Sequence, residues 1–259
     1  MPTVREILER ERGIFGTVPS IANDFVCHYC LGPVPPEYDQ CYGCLRLLLN
    51  AHEVGGEYVY VPREIRDRIV PATTVLNPST WYSYLATYKR GRLEDYGPVL
   101  AALAFAYLGQ HTRRIAELLG GPHNQLTVVP SKRGYVFGDQ PLVKALSMVQ
   151  PLRDHLGHTL VYVPGATWGR SQYHPEVFRA GPARVRGKRI VVLEDAWVTG
   201  ATAVSAAGAL LREGAASVVI LPLARVVNRD YLPDPAHPYR SAMAAPYNPD
   251  HWPRDVEAD

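Results

Sequence analysis

The stretch KRIVVLEDAWVTGAT, residues 188–202, sets four consecutive apolar residues, Ile190 to Leu193, before two carboxylates and a Thr-Gly-Ala-Thr turn. An apolar run without polar alternation reads as a strand buried on both faces, the kind found in a parallel sheet covered by helices. QLTVVP (125–130), TLVYVP (159–164) and SVVILPLA (217–224) repeat the pattern. Between them lie helical stretches at 99–120, closed by Gly120-Gly121, at 141–156, and at 203–212, stopped by Gly214. Strands alternating with helices predict an α/β fold with a parallel sheet, whose ligands bind at the carboxyl ends of the strands. Glu194 and Asp195 stand at such an end. A carboxylate there is costly unless it stays wet, pairs with a cation or holds a ligand.

The flanks are less regular. Residues 1–13 predict a helix with Val4, Ile7 and Leu8 on one side, CLRLLLNAHE a helix stopping at Gly55-Gly56, and EYVYVP a strand. Trp81, Tyr84, Leu85 and Tyr88 share one helical face, the pattern of core packing. Three regions are expected: 1–60, an N-terminal helix and cysteine knuckle; 61–227, the α/β domain; and 228–259, rich in Pro, Tyr and Asp, either a packed arm or a mobile tail. With 47% apolar residues in 259 the chain can bury a substantial core. No apolar run is long enough to span a membrane, and MPTVREILERERG is too charged for a signal peptide, so a cytoplasmic location is expected.

All four cysteines fall in one short segment: Cys27, Cys30, Cys41 and Cys44 form two C-x2-C pairs. In a reducing compartment this spacing reads as one tetrahedral zinc site, structural because four thiolates leave no open coordination position. Nucleic-acid binding through the knuckle is disfavoured: from Ser20 to Tyr60 the single basic residue Arg46 faces Asp24, Glu37, Asp39, Glu53 and Glu57. The overall net charge of +2 implies no global attraction to polyanions.

A strand breaking into Thr199-Gly200-Ala201-Thr202 and then a helix presents backbone N–H groups and hydroxyls to one point, a cradle for a monophosphate. Carboxylates beside it suit ribose hydroxyls better than phosphate, so the segment reads as a ribose 5-phosphate site. The plainer alternative is a helix cap at Thr199 or Thr202 preceded by two solvated acids. GPARVRGKR (181–189) has the wrong spacing for a Walker loop and precedes a strand.

IVVLEDAWVTGAT, residues 190–202, resembles the phosphoribosyl pyrophosphate signature of type I phosphoribosyltransferases. From Cys27 to Arg225 the chain resembles the ComF-like members of that group, with LATYKRG (85–91), VVPSKRG (128–134) and RSQYHPEVFR (170–179) as supporting pieces. The resemblance implies that Glu194 and Asp195 hold the ribose hydroxyls and that Val198, Thr199, Gly200, Ala201 and Thr202 wrap the 5-phosphate. Ser131, Lys132, Arg133 and Gly134 would form the pyrophosphate loop, with Lys89 and Arg90 as weaker candidates for the same leaving group. It further implies magnesium bound with phosphoribosyl pyrophosphate, a nitrogen acceptor such as a base, and transfer without a protein nucleophile; a homodimer is compatible with it. The competing expectation is a non-catalytic sensor or accessory protein of the same fold, for instance one serving DNA uptake.

Overall fold

The computed structural model describes residues 2–255 apart from 36, 55, 132, 167, 168, 170 and 233. Helix α1 (Val4–Glu11) opens with a capping box, in which the Thr3 hydroxyl accepts from Glu6 N and the Glu6 carboxylate accepts from Thr3 N. After the cysteine segment, helical turns cover Tyr42–Cys44 and Leu45–Leu49, and the chain forms a hairpin of β1 (His52–Val54) and β2 (Glu57–Val59). The helix expected to reach Gly55-Gly56 therefore ends at Leu49. The buried His52 ring, with Nε2 2.7 Å from Leu47 O, turns the chain back into the hairpin.

β3 (Thr74–Asn77) and α2 (Thr80–Thr87), the latter capped by the Ser79 hydroxyl, lead into α3 (Leu93–Gln110) and α4 (Thr112–Leu119). The helical stretch expected over 99–120 thus begins at Leu93 and breaks at His111, and Gly120 ends it in the left-handed conformation, φ 68°. β4 (Gln125–Val128) follows. The helix expected over 141–156 is two, α5 (Pro141–Leu146) and α6 (Gln150–His155), because Pro151 has no N–H and its ring would meet the carbonyl of Ser147 in a continuous helix.

β5 (Leu160–Tyr162) pairs antiparallel with β6 (Phe178–Ala180), so TLVYVP does not join the central sheet as its apolar pattern suggested. Leu160 is buried while Val161 is exposed: the strand is half-covered, and fits an outer ribbon. β7 (Arg189–Trp197), α7 (Ala201–Arg212), β8 (Ser217–Asn228) and α8 (Pro238–Met243) complete the chain.

The central sheet has the order β3-β8-β7-β4, all neighbours parallel. Its interior strands are the two longest apolar runs. One face packs against α1, α2, α3 and α5, the other against α7 and the cysteine knuckle, so Cys27, Cys30 and Cys44 share a core with Ile190, Val192 and Ala203. The C-terminal region is packed, not loose: Tyr239, Tyr247 and Trp252 are buried, and Ser20 donates to Asp255 O. Among the described residues no helix is long and apolar enough to cross a membrane.

Candidate functional site

Register brings the site together. Val128 of β4 pairs with Leu193 of β7, so the residues that leave β4, Val129 to Ser131, run beside Glu194 and Asp195 at the carboxyl end of the sheet. A cleft of about 390 Å³ opens there, bordered by Ser131, Arg133, Glu194, Asp195 and Thr202 among the residues expected from sequence, and by Tyr88 and Lys89 from the end of α2.

Asp195 is almost fully buried and shares one oxygen between two donors: Lys89 Nζ at 2.6 Å and the Tyr88 hydroxyl at 3.1 Å. Burial, and then the Asp195 charge, hold the Tyr88 phenol protonated, well above its ordinary pKa. Glu194 is half-buried, yet its Oε2 is sealed from solvent and has no hydrogen-bond partner among the described residues. Burial, followed by the neighbouring charge of Asp195, pushes its pKa up to about 8, against the smaller opposing pull of Lys89. The acids are therefore not a solvated pair: one holds the partly solvated Lys89, and the other has a buried oxygen with no partner among the described residues at the wall of a cleft.

The turn is built around an indole. Gly200 occupies the N-cap of α7 at φ 81°, so no side chain caps that position, and the Thr199 hydroxyl lies 3.5 Å from Ala201 N. A β-carbon on Gly200 would enter the Trp197 ring, which is 1% exposed beneath the turn. Val198 and Thr199 are exposed on its crest, Gly200 and Ala201 are buried, and Thr202 alone of the five borders the cleft. Gly200→Ala is expected to destabilise the fold by roughly 2–4 kcal/mol, from the left-handed backbone and the displaced ring together. A wild-type urea midpoint in that variant would show that the turn does not rest on Trp197.

In the loop after β4, Ser131 Oγ accepts from Arg133 N at 3.3 Å, and Gly134, at φ 69°, donates its N–H to Ser131 O. Arg133 is exposed and borders the cleft; Lys132 lies outside the described residues. Of the two weaker candidates, Lys89 reaches Asp195, whereas Arg90 is exposed and does not border the cleft. Sequence reasoning assigned Tyr88 to core packing only. Its ring is indeed buried, but its hydroxyl belongs to the site, and the adjacency of Tyr88 to Lys89 was the available signal.

On the opposite side of β7 the four cysteine sulfurs lie within 4.8 Å of one another, with Cys27, Cys30 and Cys44 buried and Cys41 half-buried. A tetrahedral zinc at about 2.3 Å from each sulfur sets the sulfurs ~3.8 Å apart. Cys30 and Cys41 are 3.7 Å apart, so the cluster could hold one structural ion. The knuckle is drawn tight by Leu31, which takes φ 55° without being glycine: Leu31 N donates to Cys27 O, and its side chain is fully buried. The chain matches no protein-family model and no curated protein.

Proposed function

We propose that the chain is a type I phosphoribosyltransferase of the ComF-like kind, which binds phosphoribosyl pyrophosphate with magnesium and transfers phosphoribose to a nitrogen acceptor. The observation that carries this reading is the Glu194 Oε2 atom: a buried oxygen with no partner among the described residues, in a cleft shared with Asp195 and the loop after β4. Ribose hydroxyls are donors that would satisfy it, and the resemblance of 190–202 to the phosphoribosyl pyrophosphate signature supports a phosphate at the turn that follows. The cleft's oxygen ligands, Glu194, Asp195 and Ser131, suit magnesium, which would supply neutralisation of the diphosphate charge when bound.

In this reading the bond from the anomeric carbon to the diphosphate oxygen breaks, pyrophosphate leaves with the electron pair, and a carbon–nitrogen bond forms as the acceptor loses a proton. Glu194 and Asp195 orient the sugar, and the charge of Asp195 favours the cationic character that develops on it. Arg133, with Lys132, receives the departing diphosphate. Lys89 holds Asp195 and would turn to the same leaving group once the sugar takes over that carboxylate.

Calorimetric titration with phosphoribosyl pyrophosphate plus magnesium, followed by a pyrophosphate-release assay across a panel of nitrogen bases, tests the proposal. Binding with release supports it; binding without release for any base supports the accessory reading; no binding overturns both. Within the same titrations, Lys132→Ala with Arg133→Ala is expected to weaken phosphoribosyl pyrophosphate by about tenfold or more while leaving ribose 5-phosphate nearly unchanged, the loss of charged hydrogen bonds to one group only. Equal losses for the two ligands would place the loop on the 5-phosphate instead.

A further inference from the structure

Arg225 of β8 stands between the cysteine cluster and the turn after β7. The residue is 9% exposed, and its Nη1 donates to Trp197 O at 3.3 Å, to Val198 O at 3.4 Å and to Val226 O. The other side of the guanidinium faces the knuckle: a β-carbon on Gly32, two residues beyond Cys30, would sit 2.6 Å from Nη2 and 2.9 Å from Nε. One planar cation therefore touches the backbone of the knuckle and the carbonyls that begin the turn.

Charge accounts for its burial. Four thiolates on a divalent ion carry two net negative charges. A second arginine, the half-buried Arg254 from the C-terminal region, donates from Nε to Ile69 O, and from Nη1 and Nη2 to His28 O and Tyr29 O, on the knuckle backbone. Arg225 and Arg254 together match the charge of the occupied centre. Without the metal the four sulfurs lose the centre that holds the knuckle together, and the Gly32 backbone against which the guanidinium packs is freed to shift, which releases Arg225 from the carbonyls of Trp197 and Val198.

We propose that Arg225 is a positioning residue that couples occupancy of the four-cysteine metal centre to the conformation of the turn from Trp197 to Gly200. That this turn then holds a phosphate rests on the functional reading above; the coupling itself does not. The knuckle in this view organises the cleft through β8 without touching a ligand, and its metal is a condition for an ordered turn. A side chain at Gly32 would displace the guanidinium.

Amide hydrogen exchange, read by mass spectrometry without any nucleotide present, tests the coupling. The wild type, Arg225→Met and Gly32→Ala are each compared with zinc bound and after chelation, over a peptide covering 197–202 and a reference peptide over 125–128. In the wild type, chelation is expected to speed exchange of the turn by about tenfold, the scale of one lost hydrogen bond to a charged group, and to leave the reference unchanged. In both variants the turn exchanges fast with zinc bound, and chelation adds little. Gly32→Ala removes no charge and no metal ligand, so it decides the matter if Arg225→Met does not fold. A turn that keeps its wild-type protection after chelation overturns the coupling, as does wild-type protection in the variants or a protein purified without metal. Because phosphoribosyl pyrophosphate is absent throughout, failure here is separate from failure of the enzymatic reading.

Discussion

Cys41→Ser and Cys44→Ser are each expected to abolish stoichiometric metal and to lower the melting temperature by roughly 10 °C. The cluster is part of the main core, sharing it with Ile190 and Val192 of β7, so its loss is felt beyond the knuckle. Losing a structural metal site is among the few single changes that exceed ~4 kcal/mol, and a domain of this size shifts by about 2–4 °C per kcal/mol. The effect should be carried by the metal and not by the sulfur atom alone. Wild-type protein stripped with a chelator should therefore melt where the variants do, and zinc added back should restore only the wild type. Metal analysis of freshly purified protein with scanning calorimetry checks both halves. Metal-free protein at purification, or unchanged melting in both variants, would mean that four buried thiols simply pack together.

The elements legible in the sequence were those whose identity is local. Ile190 to Leu193 are apolar on both faces, the pattern of a strand covered on both sides. The cysteine spacing and the Gly200 turn are also local, and both stand where the pattern put them. β3 was missed because Thr74–Asn77 is a short strand in a stretch bounded by Pro71 and Pro78. Its burial depends on side-chain bonds the sequence does not display: the Thr73 hydroxyl donates to Leu223 O and accepts from Trp81 Nε1. The strand character of Leu160–Tyr162 was legible but its partner was not, since pairing with Phe178–Ala180 instead of the central sheet is settled by which edge is free. At the site the acids themselves could be read. Their partners could not, because Tyr88 reaches Asp195 across 107 residues of chain, and the isolation of Glu194 Oε2 exists only once the cleft walls are in place. The C-terminal region illustrates the opposite error. Its prolines and acids left a mobile tail open as a reading, while its large aromatic residues, Tyr239, Tyr247 and Trp252, were the reason it packs.

Glu194→Gln combined with Asp195→Asn is expected to weaken phosphoribosyl pyrophosphate by at least one order of magnitude, since the hydrogen bond to the charged Asp195 acceptor, worth roughly 1.5–3 kcal/mol, is replaced by a neutral one and the geometry offered by Glu194 changes with it. Stability without ligand gives an independent sign. The folded pKa of Glu194, about 8, lies above its ordinary 4.5, so between these values the folded chain holds a proton that the unfolded chain has released. Its contribution is intact below about pH 4.5 and is lost as pH rises through about 8, and at about 1.4 kcal/mol per unit the change is capped at roughly 5 kcal/mol. Glu194→Gln alone should remove this slope: near pH 5 it melts with the wild type, and near pH 8 it melts higher. The double variant also gives up the Lys89–Asp195 pair, whose lysine is partly solvated and whose loss costs about 1 kcal/mol or less. It should therefore fall slightly below the wild type near pH 5 and rise above it near pH 8, so that the two melting curves cross as pH is raised. A helix-cap role for the acids predicts no crossing, wild-type affinity for the ligand, and a mild loss of stability at every pH above the carboxylate range, because removing negative charge near a helix N-terminus is unfavourable. Affinity and melting temperature of the same variants at both pH values distinguish the two accounts, and unchanged affinity in the double variant would remove the ribose from this site.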